Sequence, residues 1–121
     1  MPPATGVTFD DVRARAGELP GTEEGLCFGT PAIRVKGKFF LRLKEDAETV
    51  VIKVPLDVRE ALLHAEPRVF YITDHYRDYP AILFRLPEID SDQLADLLEM
   101  GWRFVAPKRL LAAFDAAKAQ R

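Results

Sequence analysis

Asparagine is missing altogether from this chain of 121 residues, and cysteine and serine occur once each, as Cys27 and Ser91. A lone cysteine cannot close an internal disulfide and lacks the companions that a zinc site requires. It fits a reducing compartment. A lone serine at a predicted helix cap excludes a serine hydrolase. No apolar run approaches the ~20 residues of a membrane span, and residues 1–10 have neither the basic start nor the apolar core of a secretory leader. A cytoplasmic protein is therefore expected. An excess of positive charge is lacking too: the formal net charge is -2. The molecule as a whole repels nucleic acid, and any polyanion must be met by a local patch. Internal repeats and low-complexity tracts are absent, and Gly29-Thr30-Pro31 is too short for a phosphate-cradling loop and precedes a strand instead of a helix.

What is present is an ordinary globular balance, 48% hydrophobic and 30% charged. At this length one core suffices: residues 8–121 are expected to form a single domain after a short flexible tail at 1–7, burying roughly two-thirds of the unfolded surface. The organising stretch is 33–54, IRVKGKFFLRLKEDAETVVIKV. Apolar and polar residues alternate there, and successive side chains of a strand point to opposite faces. The alternation places Phe39, Leu41 and Leu43 on one face and Phe40, Arg42 and Lys44 on the other, with Ile33, Val35, Val50, Ile52 and Val54 inward. Lys36-Gly37-Lys38 is a tight turn. Glu45-Asp46-Ala47-Glu48 is a four-residue hairpin loop that sets Lys44 opposite Thr49, Arg42 opposite Val51 and Phe40 opposite Lys53.

Around this stretch, Thr8 caps a helix over 9–19 whose first turn holds Asp10 and Asp11. Residues 22–31, TEEGLCFGTP, read as a loop. A second helix covers 55–65, with Pro55 at its start, and short strands cover 68–72 and 81–86. Between those strands, 73–80 (TDHYRDYP) is a loop with two tyrosines, a histidine and an arginine, a composition suited to contact with a partner. Asp90 and Gln93 form a capping box for a third helix, and Pro107 opens a fourth with Leu110, Leu111 and Phe114 inward. The fold class is α+β, two-layer, an antiparallel sheet of about five strands with helices mainly on one face.

Charges sort by element. Acids fall on helices and loops, while the strands carry Arg34, Lys36, Arg42, Lys44, Lys53 and Arg85; from 33 to 44 there are five basic residues and no acidic one. Such an open face offers phosphates a site. A bland explanation stands beside it: an uncovered face must be polar, and charged strands resist edge-to-edge association. His75 among Asp74, Tyr76, Asp78 and Tyr79 has the residue types for acid-base work, but a histidine in such a loop more often fixes the loop by hydrogen bonds. Cys27 and His75 would make a nucleophile pair only if the fold joined them, and a buried structural Cys27 is favoured. No enzymatic activity is expected.

Several stretches resemble the MmcQ/YjbR family of small bacterial proteins: Leu19-Pro20-Gly21 with Glu23-Glu24, Phe28-Gly29-Thr30-Pro31-Ala32, Val35-Lys36-Gly37-Lys38-Phe39-Phe40, His75-Tyr76-Arg77-Asp78-Tyr79-Pro80, and Trp102-Arg103-Phe104-Val105-Ala106-Pro107-Lys108-Arg109-Leu110. They run in order over nearly the whole chain. The resemblance implies a CyaY-like fold and DNA binding through a double-wing motif, the wings being the hairpin at 45–48 and the loop at 73–80. Because the hairpin tip holds three acids, the phosphate contacts fall instead on Arg34, Lys36, Lys38, Arg42, Lys53, Arg77, Lys108 and Arg109. With no asparagine and only Gln93 outside the tail, adenine readout is poorly supplied, and backbone binding is expected over sequence reading. The alternative partner is a protein or a small anionic ligand, held in a pocket of Phe28, Gly29, Thr30, Pro31, His75, Tyr76 and Tyr79. The CyaY-like resemblance also raises iron, but Asp10, Asp11 and Glu18 are sparse and mixed with Arg13 and Arg15. No metal, cofactor or membrane is implied, and a monomer is expected over an oligomer.

Overall fold

A reciprocal capping box starts the first helix, α1 (Phe9–Ala16): the Asp11 N–H donates to the Thr8 hydroxyl at 3.2 Å and the Thr8 N–H to the Asp11 carboxylate at 2.8 Å. In this computed structural model, which describes residues 6–120, the chain then folds as β1 (Thr22–Cys27), β2 (Thr30–Val35), β3 (Lys38–Leu43), β4 (Thr49–Lys53), α2 (Leu56–Ala65), β5 (Phe70–Tyr71), β6 (Ala81–Arg85), α3 (Ser91–Val105) and α4 (Lys108–Ala119). The strands form one six-stranded antiparallel sheet in the order β1-β2-β3-β4-β6-β5. Alternating residues from its centre, among them Ile33, Val35, Leu41, Ile52, Ile82 and Phe84, enter a single core with Val12 and Ala16 of α1 and Leu94, Leu97, Leu98 and Trp102 of α3. Val58 and Leu62 of α2 and Leu110 and Phe114 of α4 pack against the same core, so the helices lie on one face. The α+β class and the two layers are as the pattern predicts.

The central hairpin has the register the loop length dictates, with Arg42 opposite Val51 and the Lys44 N–H bonded to the Thr49 carbonyl at 2.8 Å. Asp46 organises its tip by accepting from the Thr49 hydroxyl and from the N–H groups of Glu48 and Thr49. The Thr49 hydroxyl first, and then these amides, hold the Asp46 carboxyl below the usual carboxylate range.

Several expectations are corrected. Residues 22–27 are a strand, paired along its length with β2 and setting Glu23 opposite Arg34. It is an edge strand, exposed from Glu23 to Leu26, so no burial pattern marks it. Acids therefore do occur within the sheet. Next, Phe39 and Phe40 exchange faces. Ile33 pairs with Leu41 and Arg34 with Phe39, so Phe40 is the extra residue of a β-bulge. The insertion turns the alternation by one position: Phe40 joins Leu41 in the helix-side core, and Phe39 faces the opposite way. Finally, α1 ends at Ala16 and the strand expected at 68–72 shrinks to Phe70–Tyr71. Of the tail expected at 1–7, residues 1–5 lie outside the described residues, while the Val7 N–H donates to the Leu86 carbonyl at 3.0 Å.

Candidate functional site

The face of the sheet away from the helices carries, in register across five strands, Ala32, Arg42, Val51, Leu83 and Tyr71. Val51, Leu83 and the neighbouring Ala81 form a second, small apolar cluster with Tyr71 and Tyr76 packed on it. The loop at 73–80 thus roofs part of what the sequence presents as an open basic face. A side chain with no role in the sequence argument holds this roof. Arg59 of α2, only 6% exposed, donates from one guanidinium nitrogen to the carbonyls of Tyr76 and Tyr79 and from another to that of Arg77, each at 3.0 Å. Three backbone acceptors on one guanidinium satisfy the loop's inward carbonyls and compensate the burial of the charge.

Between the roof and the β1–β2 turn lies a cleft of about 360 Å³. Its floor is Arg34, Phe39 and Arg42; one wall is Cys27 and Phe28, the other His75, Tyr76 and Tyr79. Phe28 and Gly29 form a two-residue turn with φ of 54° and 80° between the paired Cys27 and Thr30. Glycine adopts that conformation freely, but phenylalanine does so at a steric cost. The conformation leaves Phe28 82% exposed, with the Arg42 guanidinium 5.3 Å from its ring centroid. Arg42 itself is 8% exposed, donates to the Thr30 hydroxyl at 3.3 Å and lies 3.5 Å from Glu45. Arg34 donates to the Leu26 carbonyl at 3.2 Å. On the far wall the His75 and Tyr76 rings meet edge to face at 4.7 Å, and the Lys53 ammonium sits between the rings of Tyr79 and Phe104 at 5.3 and 5.8 Å.

The two sets of residues expected to contact a phosphate backbone or a small ligand are thereby redistributed. Arg34 and Arg42 share one cleft with Phe28, His75, Tyr76 and Tyr79. Gly29 shapes the turn, Thr30 holds Arg42, and Pro31 lies in a separate groove beside α1, so none of these three lines the cleft. Lys36 and Lys38 are exposed on the β2–β3 turn at the other end of β2. Arg77 is paired to Asp74 at 2.6 Å, and Lys108 and Arg109 open α4 in the helical layer. Cys27, read as a buried structural residue, is partly exposed and forms part of the wall opposite His75. Phe39 and Arg59 went unrecognised. The Phe39-Phe40 pair inside an alternating strand is a signal for a bulge, whereas Arg59 acts across 17 to 20 residues and leaves none. Among the described residues no cluster of three metal-ligating side chains occurs, and on α1 Asp10 is paired to Arg13 while Asp11 serves the cap.

Fold and cleft together define a small two-layer α+β protein whose second sheet face is roofed by one anchored loop. The chain belongs to the YjbR family, whose model matches residues 17–104. Its fold is that of Deinococcus radiodurans protein DR2400, a DUF419 domain, whose crystal structure superposes with a TM-score of 0.70 at 22% identity over 87% of this chain and 82% of that one. The chain is also 44% identical over 59 residues to uncharacterized proteins Rv2570 of Mycobacterium tuberculosis and Mb2600 of Mycobacterium bovis. That match spans 49% of this chain and about half, 46%, of those relatives. No helix among the described residues is long and apolar enough to cross a membrane.

Proposed function

We propose that this chain is a non-catalytic, cytoplasmic protein that binds DNA weakly, through phosphates and not through base sequence. The observation that carries this reading is the set of exposed cations at one end of the sheet, Lys36 and Lys38 on the β2–β3 turn with Lys108 and Arg109 beside them. The approach follows the basic end of the sheet. Gly21 brings Leu110 and Lys36 side by side, so the start of α4, with Lys108 and Arg109, adjoins the β2–β3 turn carrying Lys36 and Lys38. Glu45, Asp46 and Glu48 occupy the β3–β4 tip, which therefore repels a phosphate backbone instead of entering a groove. The test is the anisotropy of a labelled random duplex titrated at several salt concentrations. Affinity should fall by about 0.9 log units per log unit of salt for each phosphate contacted. Reversing charge at Lys36, Lys38 and Arg77 together should abolish binding; unchanged affinity in a folded variant would sink the proposal.

A second reading, a binding module for a small anionic ligand, is favoured by the aromatic side chains that line the cleft around Arg34 and Arg42. Its test is thermal stabilisation by a panel of anionic metabolites, since a ligand at 100 times its dissociation constant adds about 2.7 kcal/mol.

A further inference from the structure

We infer that the cleft takes a single unpaired nucleotide, its planar base against the aromatic walls and its phosphate on the arginine floor. The inference rests on the reading of this face as a phosphate-binding surface and adds what its cleft recognises. A phosphate-directed surface needs cations that project. Arg42 does not project: it is nine-tenths buried beneath Phe28, and a duplex backbone lying on the protein surface meets Phe28 before it meets Arg42. What reaches Arg42 must enter between Phe28 and the tyrosines, and a slot walled by rings on both sides suits a flat group.

Three features sharpen the ligand class. Arg34 and Arg42 are the charged residues lining the cleft, and with Glu45 3.5 Å from Arg42 two guanidinium charges against one carboxylate leave the floor net positive, complementary to an anion. Each spends one guanidinium nitrogen on the protein acceptors described above, and the five N–H groups of a guanidinium leave donors for a phosphate. Phe28 holds an unfavourable backbone conformation while exposing 82% of itself, so its ring contributes little burial to the fold. Strain of that kind gathers where a side chain serves a ligand. A base stacked on Phe28 and Tyr79 would use these exposed rings, and a duplex, whose bases are already paired and stacked, would not.

A planar base joined to a phosphate can come from a strand or from a free mononucleotide, and one set of titrations separates the two. The intact chain is titrated, at one fixed low salt concentration, into a labelled single-stranded 12-mer, the matching duplex, and a 12-mer of abasic sugar-phosphate, with adenosine and uridine monophosphates as competitors. The expected result is single-strand affinity at least tenfold above that for the duplex and the abasic strand. Phe28→Ala and Tyr79→Ala should each weaken single-strand binding on the order of tenfold and leave duplex binding unchanged. Phe28 is exposed enough that its truncation leaves the core intact, which circular dichroism checks. Displacement of the strand by the mononucleotides at comparable concentration would assign the same site to a free nucleotide. Equal binding of all three polymers, unaffected by either substitution, would overturn the inference while leaving phosphate-directed binding standing. Failure of every polymer and both mononucleotides to bind would overturn both.

Discussion

Two residues show how far a single side chain shapes this protein. Arg59 carries the roof of the cleft on three carbonyl bonds, and no apolar residue of similar volume can supply those donors. Arg59→Ala should therefore destabilise the protein by about 3 kcal/mol, with the amides of residues 76–80 exchanging fastest, as hydrogen exchange would record. Phe28 is the opposite case. Asparagine tolerates a positive φ far better than phenylalanine does, and little burial is lost at an exposed site. Phe28→Asn should hold or raise the unfolding free energy by up to about 1 kcal/mol while lowering affinity for whatever enters the cleft. A chemical denaturation curve that moved to lower midpoint would refute the first half of that statement.

At the scale of elements, the helical layer meets the sheet through a close approach that glycine permits. A methyl group at Gly101 of α3 would lie 2.7 Å from the Lys53 carbonyl oxygen and 3.0 Å from the Phe40 ring. Gly101→Ala gains about 1 kcal/mol of helix propensity but forces α3 off β3 and β4, and the net loss should be about 1–2 kcal/mol in urea denaturation. The α3–α4 pair is tied differently. Arg103 binds Glu99 at 3.0 Å and Asp115 at 2.7 Å, and Lys118 reaches Glu99 at 3.4 Å. The Arg103 hydrogen bond is the leading cause that holds both carboxyls below the usual range. Their folded pKa values lie under the unfolded ones, so this tie is fully present at neutral pH and is lost as pH falls through the folded values. Hydrogen exchange followed as the pH is lowered from neutral through the carboxylate range should show α4 loosening ahead of β3 and β4.

For the whole molecule, charge is distributed along the sheet and not spread over one face. The β3–β4 tip holds Glu45, Asp46 and Glu48, and the other end holds Lys36, Lys38 and Lys53. Against a net charge of -2, such a dipolar surface can meet only a few phosphates at once. The salt dependence of duplex binding should accordingly be shallow, about three log units of affinity per log unit of salt, and a slope near ten would mean a much larger footprint. Glu23 and Glu24 on the exposed β1 edge also bear on assembly, because charged side chains there deter pairing of that edge with a second chain.

The sequence by itself determined the α+β class, the central hairpin and its register, the helix cap at Thr8, the capping box at Asp90, and the helices after Pro55 and Pro107. These are local: a cap, a turn length or an alternation acts within a few residues, so the pattern carries it. Only the tertiary structure decided the rest. The β1 strand is exposed, so burial left no periodic mark on it, and the bulge at Phe40 moved Phe39 to the cleft by one extra residue that alternation cannot register. The cleft joins residues from β1–β2, β3 and the 73–80 loop, and Arg59 holds that loop from another helix. Contacts between elements distant in the chain depend on packing in three dimensions, and packing has no period.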